Sequence, residues 1–231
     1  MKTLVQCDFD GTVTGKDVSF LLLDAFADMS WRQLLKEYNQ DRISVGAFNR
    51  RAFAMIKADR NTLIDFVLNS GEVTIRPGFS ELLNYCAQNG LEFVIVSNGQ
   101  DFYIDAILAR LGVNQVKAFA ARSRFRPEGM EVNYVGPDGT ILEEGFKEAY
   151  TRLFLEQGYY LVYVGNGASD IYSARLAHQV FATGDLLEQC KREELDCTPF
   201  ADLNDVVSGL KLIASKQSPP GSGPNPLPRI E

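Results

Sequence analysis

The chain has 231 residues, 45% of them hydrophobic and 23% charged, which is enough to bury the core of one large domain or of one domain carrying an insertion. Its formal net charge of −7 excludes the basic footprint of a nucleic-acid binder. An anionic substrate must therefore be met by local positive charge or a metal ion, against the field of the whole protein.

The four cysteines, Cys7, Cys86, Cys190 and Cys197, form no C-x-x-C pair and no zinc-spaced cluster with the single histidine, His178. Free thiols in a reducing compartment are expected. The apolar run after Met1 is too short for a signal-peptide core, and no run approaches the ~20 apolar residues of a membrane span. The expectation is a cytoplasmic protein with no membrane partner and no nucleic-acid partner, acting as a monomer or homodimer.

In chain order, Thr3–Cys7 (TLVQC) reads as a strand that ends in the polar loop Asp8-Phe9-Asp10-Gly11-Thr12. From Asp17 to about Leu68 the apolar residues recur at helical spacing and imply four short helices. After Pro77-Gly78 the pattern alternates between helix and strand. Helices are expected over 79–89, 101–111, 146–157, 169–177, 186–194 and 203–213, and strands over 91–96, 116–121, 160–164 and 179–182. Residues 131–142, centred on Gly136-Pro137-Asp138-Gly139, read as a hairpin or loop excursion. Such alternation predicts an α/β fold with a doubly wound parallel sheet. The domain boundaries expected are 1–16 with 76–214 for the core, 17–75 for an inserted helical bundle, and 215–231 for a tail. That tail holds five of the nine prolines and little that can pack.

Two carboxylates spaced two apart on an extended segment share a side, so Asp8 and Asp10 can meet above the strand end, where open α/β sheets bind ligands. So close a pair needs a cation, or one carboxyl kept protonated. Phosphoryl transfer uses both arrangements, one Asp attacking phosphorus and the other moving the leaving-group proton. An Asp-Gly turn is the plain structural alternative. An EF-hand is set aside because no Glu closes such a loop.

Other strand ends add to this. Ser97-Asn98-Gly99 places a hydroxyl and backbone amides where phosphate oxygens bind. Gly165-Asn166-Gly167-Ala168-Ser169-Asp170 offers oxygen ligands or supporting acceptors for a hard cation, and does not follow the dinucleotide fingerprint G-x-G-x-x-G. Lys147 opens a helix, where a lysine is ordinarily a solvated surface group. His178 has no neighbours to complete a triad or metal set.

Taken together, D-x-D-G-T, a strand-terminal serine, a lysine and G-N-G-x-x-D closely resemble the haloacid dehalogenase superfamily of phosphatases. The resemblance implies Asp8 as nucleophile and Asp10 as general acid/base, with Thr12, Ser97 and Asn98 binding phosphate and Lys147 neutralising it. It implies Mg²⁺ held by Asp8, the Asp10 carbonyl and Asn166, with Asp170 at the metal site. The inserted helices resemble the small cap of the phosphoserine-phosphatase-like branch, which puts Asp17 and Arg51 among its substrate-reading positions. Most members carry Asp where Asn166 stands, which removes a charge and weakens metal binding. The stretch from Val180 to Cys190 and Cys197-Thr198-Pro199-Phe200 resemble the methionine-salvage branch, whose substrate is 2-hydroxy-3-keto-5-methylthiopentenyl-1-phosphate. The expected partner is thus a small phosphorylated metabolite, with a phosphoserine phosphatase or another small-metabolite phosphatase as the alternative activity. From another class, a non-catalytic phospho-acceptor or binding protein is the alternative that Asn166 favours.

Overall fold

The computed structural model describes residues 2–217. Strand β1 (Thr3–Cys7) is followed by helices α1 (Val18–Phe26), α2 (Trp31–Asn39), α3 (Val45–Phe53) and α4 (Arg60–Asn69). The chain continues through α5 (Phe79–Gln88), β2 (Glu92–Gln100), α6 (Asp101–Arg110), β3 (Lys117–Arg126), β4 (Gly129–Val135) and β5 (Ile141–Leu142). Then come α7 (Phe146–Glu156), β6 (Tyr160–Gly165), a 3₁₀ turn at Ala168–Asp170, α8 (Ile171–Ala174), β7 (Gln179–Ala182), α9 (Gly184–Arg192), β8 (Thr198–Pro199) and α10 (Leu203–Gln217).

The strands form one sheet in the order β5-β4-β3-β2-β1-β6-β7-β8. β1 lies between β2 and β6 and is parallel to both. The chain builds outward from β1 on one side through β2 and β3, then crosses to build the other side through β6 and β7. The end of β1 is therefore the switch point at which such sheets open a crevice. Leu4, Val5, Gln6 and Cys7 are all essentially inaccessible, as expected for a central strand covered on both faces.

The α/β fold and its doubly wound parallel strands agree with the expectation from sequence. The sheet is parallel from β3 to β8, but β3–β4 and β4–β5 pair antiparallel. Residues 129–142 are thus an edge hairpin that extends the sheet. A short connection can join antiparallel neighbours, whereas a parallel partner needs a crossover. Helix α10 runs on to Gln217, so residues 215–217 are helical rather than tail. The remainder of the expected tail lies outside the described residues.

The four inserted helices share one continuous apolar core with the sheet, from Leu4 and Val96 to Trp31, Phe48 and Phe53. Phe20 packs on Trp31 and Phe48 at centroid distances of 5.6 and 6.2 Å. Burying each such side chain contributes roughly 1.5–3 kcal/mol. The hairpin grips the same helices. Asn49 of α3 donates to the Tyr134 hydroxyl of β4, Tyr134 donates 2.7 Å to the Asn98 carbonyl, and Arg50 pairs with Glu143.

Candidate active site

β1 delivers Asp8 to the crevice, where its amide donates 2.9 Å to the Val164 carbonyl and its Oδ1 accepts the Phe9 N–H at 2.7 Å. The opposing cation is Lys147, in the first turn of α7. Buried Gln6 fixes that helix by donating to the Lys147 carbonyl (3.3 Å) and accepting from Thr151 (2.9 Å). Lys147 Nζ then sits 2.8 Å from Asp8 Oδ2 and 2.5 Å from Asp170 Oδ1, with all three groups buried. Burial alone would lower the lysine pKa, but Asp170 and Asp8 together hold it above the ordinary lysine value. Asp8 moves the other way. Its pKa is pushed up to about 6 by burial, with Lys147 opposing and Asp170 adding to the rise.

Asp10 faces the same cavity from the next turn of chain. Its Oδ2 accepts from the Tyr103 hydroxyl and, at 3.3 Å, from Ser19; its Oδ1 accepts the Val18 N–H at 3.3 Å. Burial, then the charge of Asp17, push its pKa well above the usual carboxylate range. Asp17 caps α1 by accepting the Phe20 N–H at 2.9 Å, and burial raises it to about 6. Ser97, buried at the end of the β2 apolar run, accepts the Gly99 N–H at 3.1 Å, which leaves its own hydrogen for an oxyanion. Asn98 lines the same wall, where its Nδ2 donates 3.2 Å to Ser169 and its buried Oδ1 has no partner among the described residues.

Asp8, Asp10, Asp17, Ser97, Asn98, Lys147 and Asn166 all line one cavity of about 320 Å³. Three of the residues expected at the site do other work. Arg51 does not line the cavity; it is half exposed and pairs at 3.2 Å with Glu37 of α2. Thr12 is fully buried beneath the wall and donates 2.7 Å to Asn166 Oδ1, holding that amide rather than facing a phosphate. Asp170 has its oxygens taken by Lys147, Tyr163 and the N–H groups of Asn166 and Gly167, so it braces the loop and is not set to ligate a metal.

The donor chemistry fits one hard cation. Asp8, the Asp10 carbonyl and Asn166 Oδ1 are oxygen donors at one edge, and the Asp10 carbonyl accepts no hydrogen bond among the described residues. Three buried carboxyls, Asp8, Asp10 and Asp170, and the partly buried Asp17 share the site with a single buried ammonium, Lys147. That imbalance calls for added positive charge or for protons. The set is not an all-acidic cage: among the described residues no three His, Cys, Asp or Glu side chains are grouped for a metal.

Sequence reasoning missed Tyr103, Ser19 and Arg76. The Arg76 guanidinium donates to the Thr12 carbonyl at 2.9 Å, to the Ala201 carbonyl at 2.7 Å and to the Gly11 carbonyl, pinning the Asp8–Thr12 loop from behind. Tyr103 left one signal, a polar-tipped aromatic on a helix face that is otherwise apolar, since a buried phenol needs a partner. Among the described residues no helix is long and apolar enough to cross a membrane.

The family model for haloacid dehalogenase-like hydrolases matches residues 5–175. A Brevibacillus brevis protein named 2-hydroxy-3-keto-5-methylthiopentenyl-1-phosphate phosphatase is 29% identical over 216 residues, covering 92% of this chain and 96% of its own. A Bacillus velezensis protein of the same name is 29% identical over 219 residues, covering 93% and 92%. Among solved structures, a phospho-aspartyl intermediate analogue of phosphoserine phosphatase superposes with a TM-score of 0.65 at 21% identity, covering 90% of this chain and 98% of its own. A phosphoserine phosphatase from T. onnurineus gives 0.66 at 16%, covering 91% and 95%.

Proposed function

The chain belongs to the haloacid dehalogenase-like hydrolase family, and from that premise we propose that it hydrolyses a small phosphate monoester through a phosphorylated Asp8. The observation that carries the reading is the convergence of Asp8, Asp10 and Lys147 on one cavity, with Lys147 2.8 Å from Asp8.

In the first step an Asp8 oxygen attacks phosphorus in line, and Asp10 gives its proton to the bridging oxygen as that P–O bond breaks. The raised pKa of Asp10 suits it to carry that proton near neutrality. Asp10, now ionised, takes a proton from water, and the resulting hydroxide attacks phosphorus and releases Asp8. Lys147 neutralises charge on the transferring group, and the Ser97 hydroxyl donates to one of its oxygens. Mg²⁺, held by Asp8, the Asp10 carbonyl and Asn166, would offset the mutual repulsion of carboxylate and phosphate.

The substrate we favour is 2-hydroxy-3-keto-5-methylthiopentenyl-1-phosphate or a close analogue. Two observations support it. The names of the two relatives point there, and the cavity wall supplied by α1–α3 sets Phe20, Leu35, Tyr38, Val45 and Phe48 beside Ser19, Asn39 and Asn49, giving an apolar surface for a methylthio chain. Lys147 is the sole cation lining that cavity among the described residues, and Arg42 and Arg192 line the adjoining cavity of about 760 Å³ that shares Lys147 with it. Phosphate release with Mg²⁺ from a panel containing both the methylthio ketose phosphate and phosphoserine tests both levels. Faster turnover of phosphoserine would remove the finer assignment, and no release from any monoester would remove the phosphatase reading.

A further inference from the structure

We propose that Tyr103 is the positioning residue of the general acid, holding Asp10 in the orientation from which it protonates the leaving group. The inference rests on the phosphatase reading and names a residue that the D-x-D-G-T motif does not contain.

Tyr103 is fully buried in α6, and its hydroxyl reaches Asp10 Oδ2. Ser19 Oγ closes a triangle, 2.9 Å from the phenol and 3.3 Å from the same Asp10 oxygen. Among the described residues, Asp10 Oδ1 accepts only the 3.3 Å bond from the Val18 N–H. One carboxyl oxygen is therefore clamped and the other remains to carry the proton. In the transfer the Oδ1–H bond breaks and its proton goes to the bridging oxygen. The P–O electron pair moves onto that oxygen as Asp8 forms the new bond to phosphorus.

The backbone is shaped around this contact. A Cβ on Gly99 would lie 2.1 Å from the Tyr103 hydroxyl and 2.6 Å from Asp10 Oδ2, so only glycine lets the phenol pass the strand end. The clamp also joins two separate parts of the molecule, because Ser19 and Val18 begin the first inserted helix whereas Tyr103 belongs to a helix of the sheet layer.

Tyr103→Phe removes one hydroxyl and keeps the packing. The test compares kcat/KM, which covers only steps through leaving-group departure, for an alkyl phosphate and for a nitrophenyl phosphate, whose leaving group departs without a proton. We expect kcat/KM for the alkyl substrate to fall about 10–100-fold, the range of misplaced acid catalysis, and that for the aryl substrate to stay within about threefold. Equal losses on both substrates, or no loss on either, would overturn the assignment. Ser19→Ala, which removes the other leg, should show a smaller effect with the same substrate dependence. It decides the matter by the same criterion if Tyr103→Phe does not fold. Wild-type protein inert toward both substrates would instead remove the phosphatase reading on which the inference stands.

Discussion

Lys147 Nζ stands 2.8 Å from Asp8 Oδ2, and the same ammonium closes on Asp170, so one buried cation serves the proposed nucleophile on one side and a loop brace on the other. Lys147→Met leaves both carboxylates without their partner. Removing one member of a buried charge set costs about 3–5 kcal/mol, and the lost charge should lower kcat by at least about 100-fold. Urea unfolding and steady-state kinetics read the two effects separately. Retained activity at reduced stability would show that Lys147 is only structural.

What was legible in the sequence was local. Asp8 and Asp10 were readable because two residues of one extended segment share a side whatever the rest of the chain does. Ser97 and Asn166 were readable because each follows an apolar run that can only be a buried strand. The contacts that hold these groups were not legible. Tyr103, Ser19 and Arg76 act on residues that lie 93, 9 and up to 125 positions away. Arg51 was misplaced because a helix period does not say which face meets the cavity and which meets the neighbouring helix, where Glu37 takes it. Strand β8 has only two residues and no pattern to detect.

Asn166→Asp should tighten divalent-cation binding. The change adds one negative charge to a donor set in which Asn166 now contributes a neutral oxygen already held by Thr12. A gain of roughly tenfold in Mg²⁺ affinity by calorimetry is expected, equivalent to about 1.4 kcal/mol. In the metal-free protein the same change adds another carboxylate to the cavity that Asp8 and Asp10 line and should lower the melting temperature. Unchanged Mg²⁺ affinity would place the cation elsewhere.

Gly11→Ala should cost both stability and activity. Gly11 sits at φ +71°, and a Cβ there would lie 2.3 Å from Asn166 Nδ2. The left-handed backbone alone costs an alanine about 1–2 kcal/mol, and the clash would displace an expected cation ligand. Thermal unfolding together with Mg²⁺ affinity checks this, and a variant that keeps both would show that the loop tolerates a shift at Asn166.

The metal-free protein should lose stability as pH rises. Asp8 and Asp17 have folded pKa values raised to about 6, above those of the unfolded chain, so between roughly pH 4 and 6 the folded state binds more protons. Their contribution is most favourable below that window and is lost as pH increases through it. Melting in a chelator should therefore occur at lower temperature at pH 7.5 than at pH 5.5, by roughly 2–4 °C for each kcal/mol lost. Mg²⁺ should restore part of the difference at pH 7.5, and Asp8→Asn should shrink it. A melting temperature that rises over this range without metal would contradict the charge assignment.

In the proposed reaction phosphorus passes through Asp8. The decisive check is mass spectrometry of enzyme quenched in acid during turnover of a good phosphate monoester. A phosphoryl group is expected on the peptide bearing Asp8, absent from Asp8→Asn and gone once substrate is exhausted. Steady phosphate release with the adduct on another residue, or undiminished release from Asp8→Asn, would contradict it.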